Sequence, residues 1–146
     1  MQLISDHMIK HHRECDAVLA RVKEAAMSSD WAVLQKEAGT FLHEIERHIE
    51  FEETLLFPAF EQTTGMREEP TATMRLDHKQ LRGMFAQMRA ALEARDAKRC
   101  LDASMTLMIL LQEHNLKEES MMYPMLDRAL GDDTRGLLTQ LESSTP

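Results

Sequence analysis

Apolar residues recur at intervals of three and four through most of the chain, a period that predicts long amphipathic helices. From about Ser5 to Ser29 the stripe is Met8, Cys15, Val18, Leu19 and Val22, and His12 lies on it. A second helix, with Asp30 placed to cap its start, carries Phe41, Ile45, His48, Glu52, Leu55 and Ala59 on one face before Gly65 permits a left-handed turn. Pro58 falls inside that pattern, and its missing backbone donor predicts a kink or an early end. Gln62 to Pro70 reads as a loop. A third helix from Thr71 repeats the first stripe as Met74, His78, Leu81, Met84, Phe85 and Met88. Asp96 caps a fourth, whose inner face reads Leu107, Leu111, His114, Glu118, Met121 and Met125 until Gly131 ends it. Residues 132–146 form a short appendage in this reading, with a turn or two from Asp133 to Glu142 and fraying from Ser143 to Pro146.

The two halves repeat. His48, Glu52, Glu53, Phe57 and Pro58 return 66 residues later as His114, Glu118, Glu119, Tyr123 and Pro124. The same gapless shift carries Met8 onto Met74, His12 onto His78, Asp30 onto Asp96 and Gly65 onto Gly131. Short connections make consecutive helices antiparallel neighbours, so the expected fold is an all-α, up-down-up-down four-helix bundle built from a duplicated helical hairpin. Register supplies a check. Folding the first hairpin about Ser29 and Asp30 sets His12 level with residue 47, beside His48; folding the second about Arg95 and Asp96 sets His78 level with residue 113, beside His114.

Composition agrees with helix and narrows the function. Five Gly and four Pro in 146 residues leave little to interrupt helices, and the length suits a single domain over 1–146 with a real core. A net charge of −8 argues against a nucleic-acid partner, whose footprint would be basic. No apolar run approaches the length of a membrane span, and the first residues lack the layout of a signal peptide. Cys15 and Cys100 form no CxxC pair and read as reduced thiols, so a cytoplasmic setting is expected.

Six chemistry-bearing side chains fall at one level of the inner stripes: His12, His48, Glu52, His78, His114 and Glu118. Hydrogen-bonded core residues would be the plainer account. However, a carboxylate buried without a counter-charge costs several kcal/mol or takes up a proton, and no cationic residue lies on those stripes. A metal cation supplies the charge, and four imidazoles with two carboxylates suit iron, manganese or zinc better than calcium or magnesium. Six ligands from two symmetric halves oversupply one tetrahedral ion, so two metals are expected. With both glutamates bridging and an oxo or hydroxo bridge, each ion keeps a position for an outside ligand.

Other residues carry weaker signals. His7, His11 and His43 lie off the inner stripe and are read as surface histidines, and Cys15 as packing, because its counterpart is Leu81. Glu53 and Glu119 point about 100° away from the glutamates before them and are read as solvated, with support of the ligands as the alternative. Phe57 stands opposite Tyr123 in the repeat, which argues against tyrosyl chemistry shared by the halves. Asp16 and Arg82 each follow a ligand histidine by four residues. An ion pair between them is the plainer expectation; a guanidinium turned toward a bound anion is the sharper one.

His-x-x-x-Glu-Glu-x-x-Leu-Phe-Pro from His48 to Pro58, Asp77 and His78 opening the third helix, and His-x-x-x-Glu-Glu from His114 resemble the hemerythrin family, in particular bacterial proteins with HHE cation-binding domains. The resemblance covers about residues 5 to 131. It implies a non-haem di-iron centre, ligated by His12, His48, Glu52, His78, His114 and Glu118, that binds or reacts with dioxygen, nitric oxide or peroxide. Two departures bear on function. Oxygen-carrying members have a further histidine where this chain has Arg82, and a differently spaced Asp in place of Glu118. A binding and sensing role for dioxygen or nitric oxide is therefore expected ahead of oxygen transport. The alternative is a di-iron oxidase or peroxidase, or an iron donor in iron–sulfur cluster repair, which the ligand set also resembles.

Overall fold

A computed structural model describes residues 3–143, and among them there is no strand. The long rods are α1 (Ile4–Met27), α2 (Trp31–Phe51) running through a π-helical turn (Glu52–Leu56) into α3 (Phe57–Thr64), α4 (Thr71–Glu93), and α5 (Ala97–Lys117) running through a second π turn (Glu118–Met122) into α6 (Tyr123–Leu130). A short 3₁₀ turn, Gly131–Asp133, leads into α7 (Thr134–Ser143). No described helix is long and apolar enough to cross a membrane.

The connections show why the rods stop where they do. Ser29 and Arg95 take left-handed backbone, φ 54° and 53°. In each turn the next residue, an Asp, sends its N–H back to a carbonyl five residues earlier, Asp30 to Ala25 and Asp96 to Ala91, both at 3.0 Å. The same aspartates then cap the next helix, accepting from Val33 N–H at 3.3 Å and Arg99 N–H at 3.1 Å. Such caps contribute about 1 kcal/mol each. The α3–α4 connection is shorter than expected: α3 reaches Thr64, and Gly65, at φ 76°, closes it with a bond to the Glu61 carbonyl.

Pro58 neither breaks nor ends its helix. The π turn ahead of it shifts the bonding from four residues to five, as in Phe57 N–H to Glu52 O, and sets Pro58 in the first turn of α3, where a missing N–H is tolerated. Tyr123 N–H and Glu118 O repeat this before Pro124. The Thr54 and Ser120 hydroxyls donate to the Glu50 and Leu116 carbonyls at 2.7 and 2.6 Å, helping to satisfy the disturbed ladder.

The extra residue in each π turn also rotates everything after it. Leu55 and Ala59, expected inside, are only half-buried, and Leu56, Phe57 and Phe60 take the core. Met121 is exposed and Met125 half-buried, while Met122, Tyr123, Leu126 and Leu130 are buried. A constant 3.6-residue period cannot anticipate that phase change.

Two apolar clusters result. One joins Cys15 to Ala26 of α1 with Leu34 to Ile49, Leu81 to Ala91 and Cys100 to Leu111. The other joins Ile4, Met8, Phe51, Leu56, Phe57, Phe60 and Met74 with Met122, Tyr123, Leu126 and Leu130, and takes in Leu141 of α7. Along each rod the histidines stand where one cluster gives way to the other, so a polar layer crosses the core. The fraying expected beyond Ser143 lies outside the described residues.

Candidate metal centre

The polar layer gathers all six expected residues. His12, His48, Glu52, His78, His114 and Glu118 are buried, the two glutamates completely. The ligand-type atoms of Glu52, His78, His114 and Glu118 lie within 4.8 Å of one another, and so do those of His12, His48 and Glu118. Glu118 belongs to both groups.

Every imidazole turns Nε2 inward. His12 Nε2 is 3.1 Å from Glu118 Oε1, His78 Nε2 is 3.1 Å from Glu52 Oε1, and His114 Nε2 is 3.2 Å from Glu118 Oε1. His48 Nε2 stands 3.6 Å from Glu52 Oε2. The expected levelling of histidines is present, with ring centroids 4.7 Å apart for His12 and His48 and 4.8 Å for His78 and His114.

The outer nitrogens explain that orientation. His12 Nδ1 meets Glu119 at 2.8 Å, His78 Nδ1 meets Glu53 at 2.8 Å, and His114 Nδ1 meets Asp77 at 2.9 Å. A carboxylate there keeps the proton on Nδ1, so the Nε2 lone pair faces inward, the tautomer a metal requires. Glu53 and Glu119 therefore spend their carboxylates on His78 and His12 and not on solvent, the alternative that the sequence reading kept. The π turn begins at the preceding glutamate and helps place them.

His11 is a second correction. It is not a surface residue: its Nδ1 lies 2.8 Å from His48 Nδ1, and its Nε2 reaches Glu44 at 3.1 Å, which in turn holds Arg47 at 3.0 Å. It occupies the place that Asp77 fills in the other half, since His11 and Asp77 are 66 residues apart. His7 and His43 are half-buried and exposed respectively, and Cys15 packs in the core, where burial pushes its thiol up to about 12.

The Asp16–Arg82 pair does not form. Arg82 gives its guanidinium to Glu53 at 2.7 Å, bracing the carboxylate that holds His78. Asp16 is exposed, and its carboxyl is raised by desolvation and the neighbouring Glu119 charge against the pull of His12. One half thus has Glu53 and Asp77 braced by Arg82 and Lys117, the latter at 3.1 Å from Asp77. In the other half, an acid stands beside Glu119 and an imidazole behind His48.

Charge accounting favours a cation. Burial works against an ionised Glu52, yet His48 and His78 hold its carboxyl well below the usual range. Burial lowers His114, but Glu118, Glu52 and Asp77 outweigh it and raise the imidazole to about 9; His12 and His78 are raised in the same way. His48, fully buried and near His12, is lowered. Buried Glu52 Oε1, despite His78 Nε2 at 3.1 Å, and Glu118 Oε2 accept no hydrogen bond. Unsatisfied buried carboxylate oxygens amid inward-turned Nε2 atoms are what a bound divalent or trivalent ion would satisfy, in exchange for the protons that the metal-free imidazoles hold.

Tyr123 was not anticipated as part of this group. The π turn sets it on the face of Glu118, and its hydroxyl stands among the inner nitrogens and carboxylates, 2.7 Å from Glu52 Oε2 and 2.9 Å from Glu118 Oε1. The only sequence sign was its place within the repeated motif, opposite Phe57.

A family model described as the hemerythrin HHE cation binding domain matches residues 3–126. No curated protein and no solved structure matches the chain.

Proposed function

This chain belongs to the hemerythrin HHE cation-binding family, and we propose that it is a non-haem di-iron protein that binds or senses dioxygen or nitric oxide. His12, His48, Glu52, His78, His114 and Glu118 would hold the two ions, with iron ahead of manganese or zinc. The observation that carries this reading is the pair of buried, partnerless oxygens on Glu52 and Glu118, facing four histidines whose inner nitrogens converge. The proposed frame is an up-down-up-down bundle from a duplicated hairpin, forming one domain with the last helix as an appendage. The turns at Ser29 and Arg95 and the two π turns, each pair 66 residues apart, support it.

Reduced iron would supply reversible electron donation to a diatomic ligand. The protein's part is to fix the imidazoles through Glu53, Asp77, Glu119 and His11, and to keep bulk water from the ions with the apolar clusters on either side. A cleft of about 190 Å³ that includes His11, Glu44, Arg47 and His48 reaches the edge of the centre, a size suited to a small ligand. Two buried free thiols suit the proposed cytoplasmic setting.

The competing reading, an oxidase, peroxidase or iron donor for cluster repair, differs in what happens after binding. Optical spectra of the ferrous protein with dioxygen or nitric oxide separate them. An adduct that forms and is reversed by removing the gas supports binding and sensing. Sustained consumption of nitric oxide or peroxide with a reductant supports the enzyme instead.

A further inference from the structure

Tyr123 breaks the symmetry of the centre in a way that packing does not require. Its ring lies 5.3 Å from the His12 ring, as the Phe57 ring lies 5.7 Å from that of His78. These are equivalent places in the two halves, and Phe57 shows that a plain ring fills such a place. Both rings are fully buried. The hydroxyl is what the second half adds.

That hydroxyl oxygen has four neighbours: Glu52 Oε2 at 2.7 Å, Glu118 Oε1 at 2.9 Å, His12 Nε2 at 2.9 Å and His48 Nε2 at 3.1 Å. A phenol has one proton to donate. Two carboxylate oxygens compete for it, and His12 Nε2, with Glu119 on its Nδ1, crowds the same oxygen. A cation among them turns this conflict into coordination. The spacing agrees, since two ligand atoms each about 2.1 Å from one ion at right angles stand about 3.0 Å apart.

We propose that Tyr123 is a metal ligand in the His12–His48 half of the centre, its phenolate oxygen binding one ion of the pair and not the other. This rests on the di-metal reading above. Ligation exchanges the O–H bond for an O–metal bond, and the proton leaves to solvent as the ion binds. The phenolate is a hard anionic oxygen, suited to ferric iron, so the ion beside it is held more tightly in the oxidised state than its neighbour beside Phe57. The two positions are then chemically unequal despite the repeated sequence.

The chain contains a single tyrosine, so any phenolate signal belongs to Tyr123. The test is the full chain reconstituted with ferrous iron and oxidised in air, with iron per chain measured beside visible absorption and resonance Raman spectra. The expected result is two irons with a phenolate-to-iron charge-transfer band and tyrosine ring modes. Tyr123→Phe loses band and modes and binds one of its two irons about tenfold or more weakly, and ring-deuterated tyrosine shifts the modes in the unaltered chain. Two bound irons with no tyrosine modes overturn this proposal and leave the di-iron reading standing. Failure to bind iron overturns both. If Tyr123→Phe does not fold, the modes and isotope shift of the unaltered chain decide alone.

Discussion

His48 Nδ1 faces the imidazole of His11 at 2.8 Å, where its counterpart His114 faces the carboxylate of Asp77 at 2.9 Å. An imidazole is a weaker proton acceptor than a carboxylate, so it does less to raise the basicity of the histidine it orients. His11→Asp should make the halves alike. Stepwise titration with ferrous iron or zinc is expected to show two unequal steps in the unaltered chain and steps closer together in His11→Asp. Two identical steps in the unaltered chain would contradict the expectation.

Glu53 touches the proposed metal centre through His78, at 2.8 Å from its Nδ1. Glu53→Ala should weaken one metal step by about 10- to 100-fold, the usual cost of losing an outer partner of a ligating histidine. Circular dichroism should show the helices intact, because Glu53 is only half-buried. Arg82→Leu, one link further out, is expected to act in the same direction and less. An equal or larger effect of Arg82→Leu would mean that its guanidinium works at the centre itself.

The phase change at the π turns predicts a contrast between neighbours. Leu56 is fully buried and Leu55 is not, so Leu56→Ala should cost about 2–5 kcal/mol and Leu55→Ala clearly less. Met122→Ala and Met121→Ala should repeat the contrast in the second half. Urea unfolding of the four variants measures it. A continuous 3.6-residue helix would give the opposite order.

Stability should respond to pH differently with and without metal. In the metal-free chain the His114 imidazole is raised to about 9, burial being outweighed by Glu118, Glu52 and Asp77. A raised folded-state pKa contributes stability that is fully present below the unfolded value near 6.5. The contribution is lost as pH rises through about 9. His12 and His78 act in the same sense. The melting temperature of the metal-free chain is therefore expected to fall between about pH 6.5 and 9.5. The metal-loaded chain should instead lose stability on the acid side, where protons displace the ions from the imidazoles.

Much of this arrangement was legible in the sequence, for physical reasons that can be named. Asp30 and Asp96 announced their helix starts because a short carboxylate before an apolar stripe has an N-terminus to cap. His12, His48, His78 and His114 could be levelled because each hairpin turns in three residues, which leaves little freedom of register. The inward rotation of Leu56 and Met122 was hidden, since it depends on one extra residue in the backbone ladder and not on any side-chain pattern. His11, Glu53 and Glu119 were misjudged for a related reason. Their side chains leave the inner face of their own helix, and only the neighbouring helix shows that they end on a histidine. Arg82 is long enough to reach several acids, and chain spacing alone did not select Glu53 over Asp16.

On the proposed reading, Glu52 and Glu118 hold two metal ions together with His12, His48, His78 and His114. Elemental analysis of the chain purified without added metal and then reconstituted with ferrous iron tests it most directly, with Glu52→Ala and Glu118→Ala beside it. Two irons per unaltered chain and a loss of binding in each variant are expected. Much less than two irons per chain, or undiminished binding in Glu52→Ala, would contradict it.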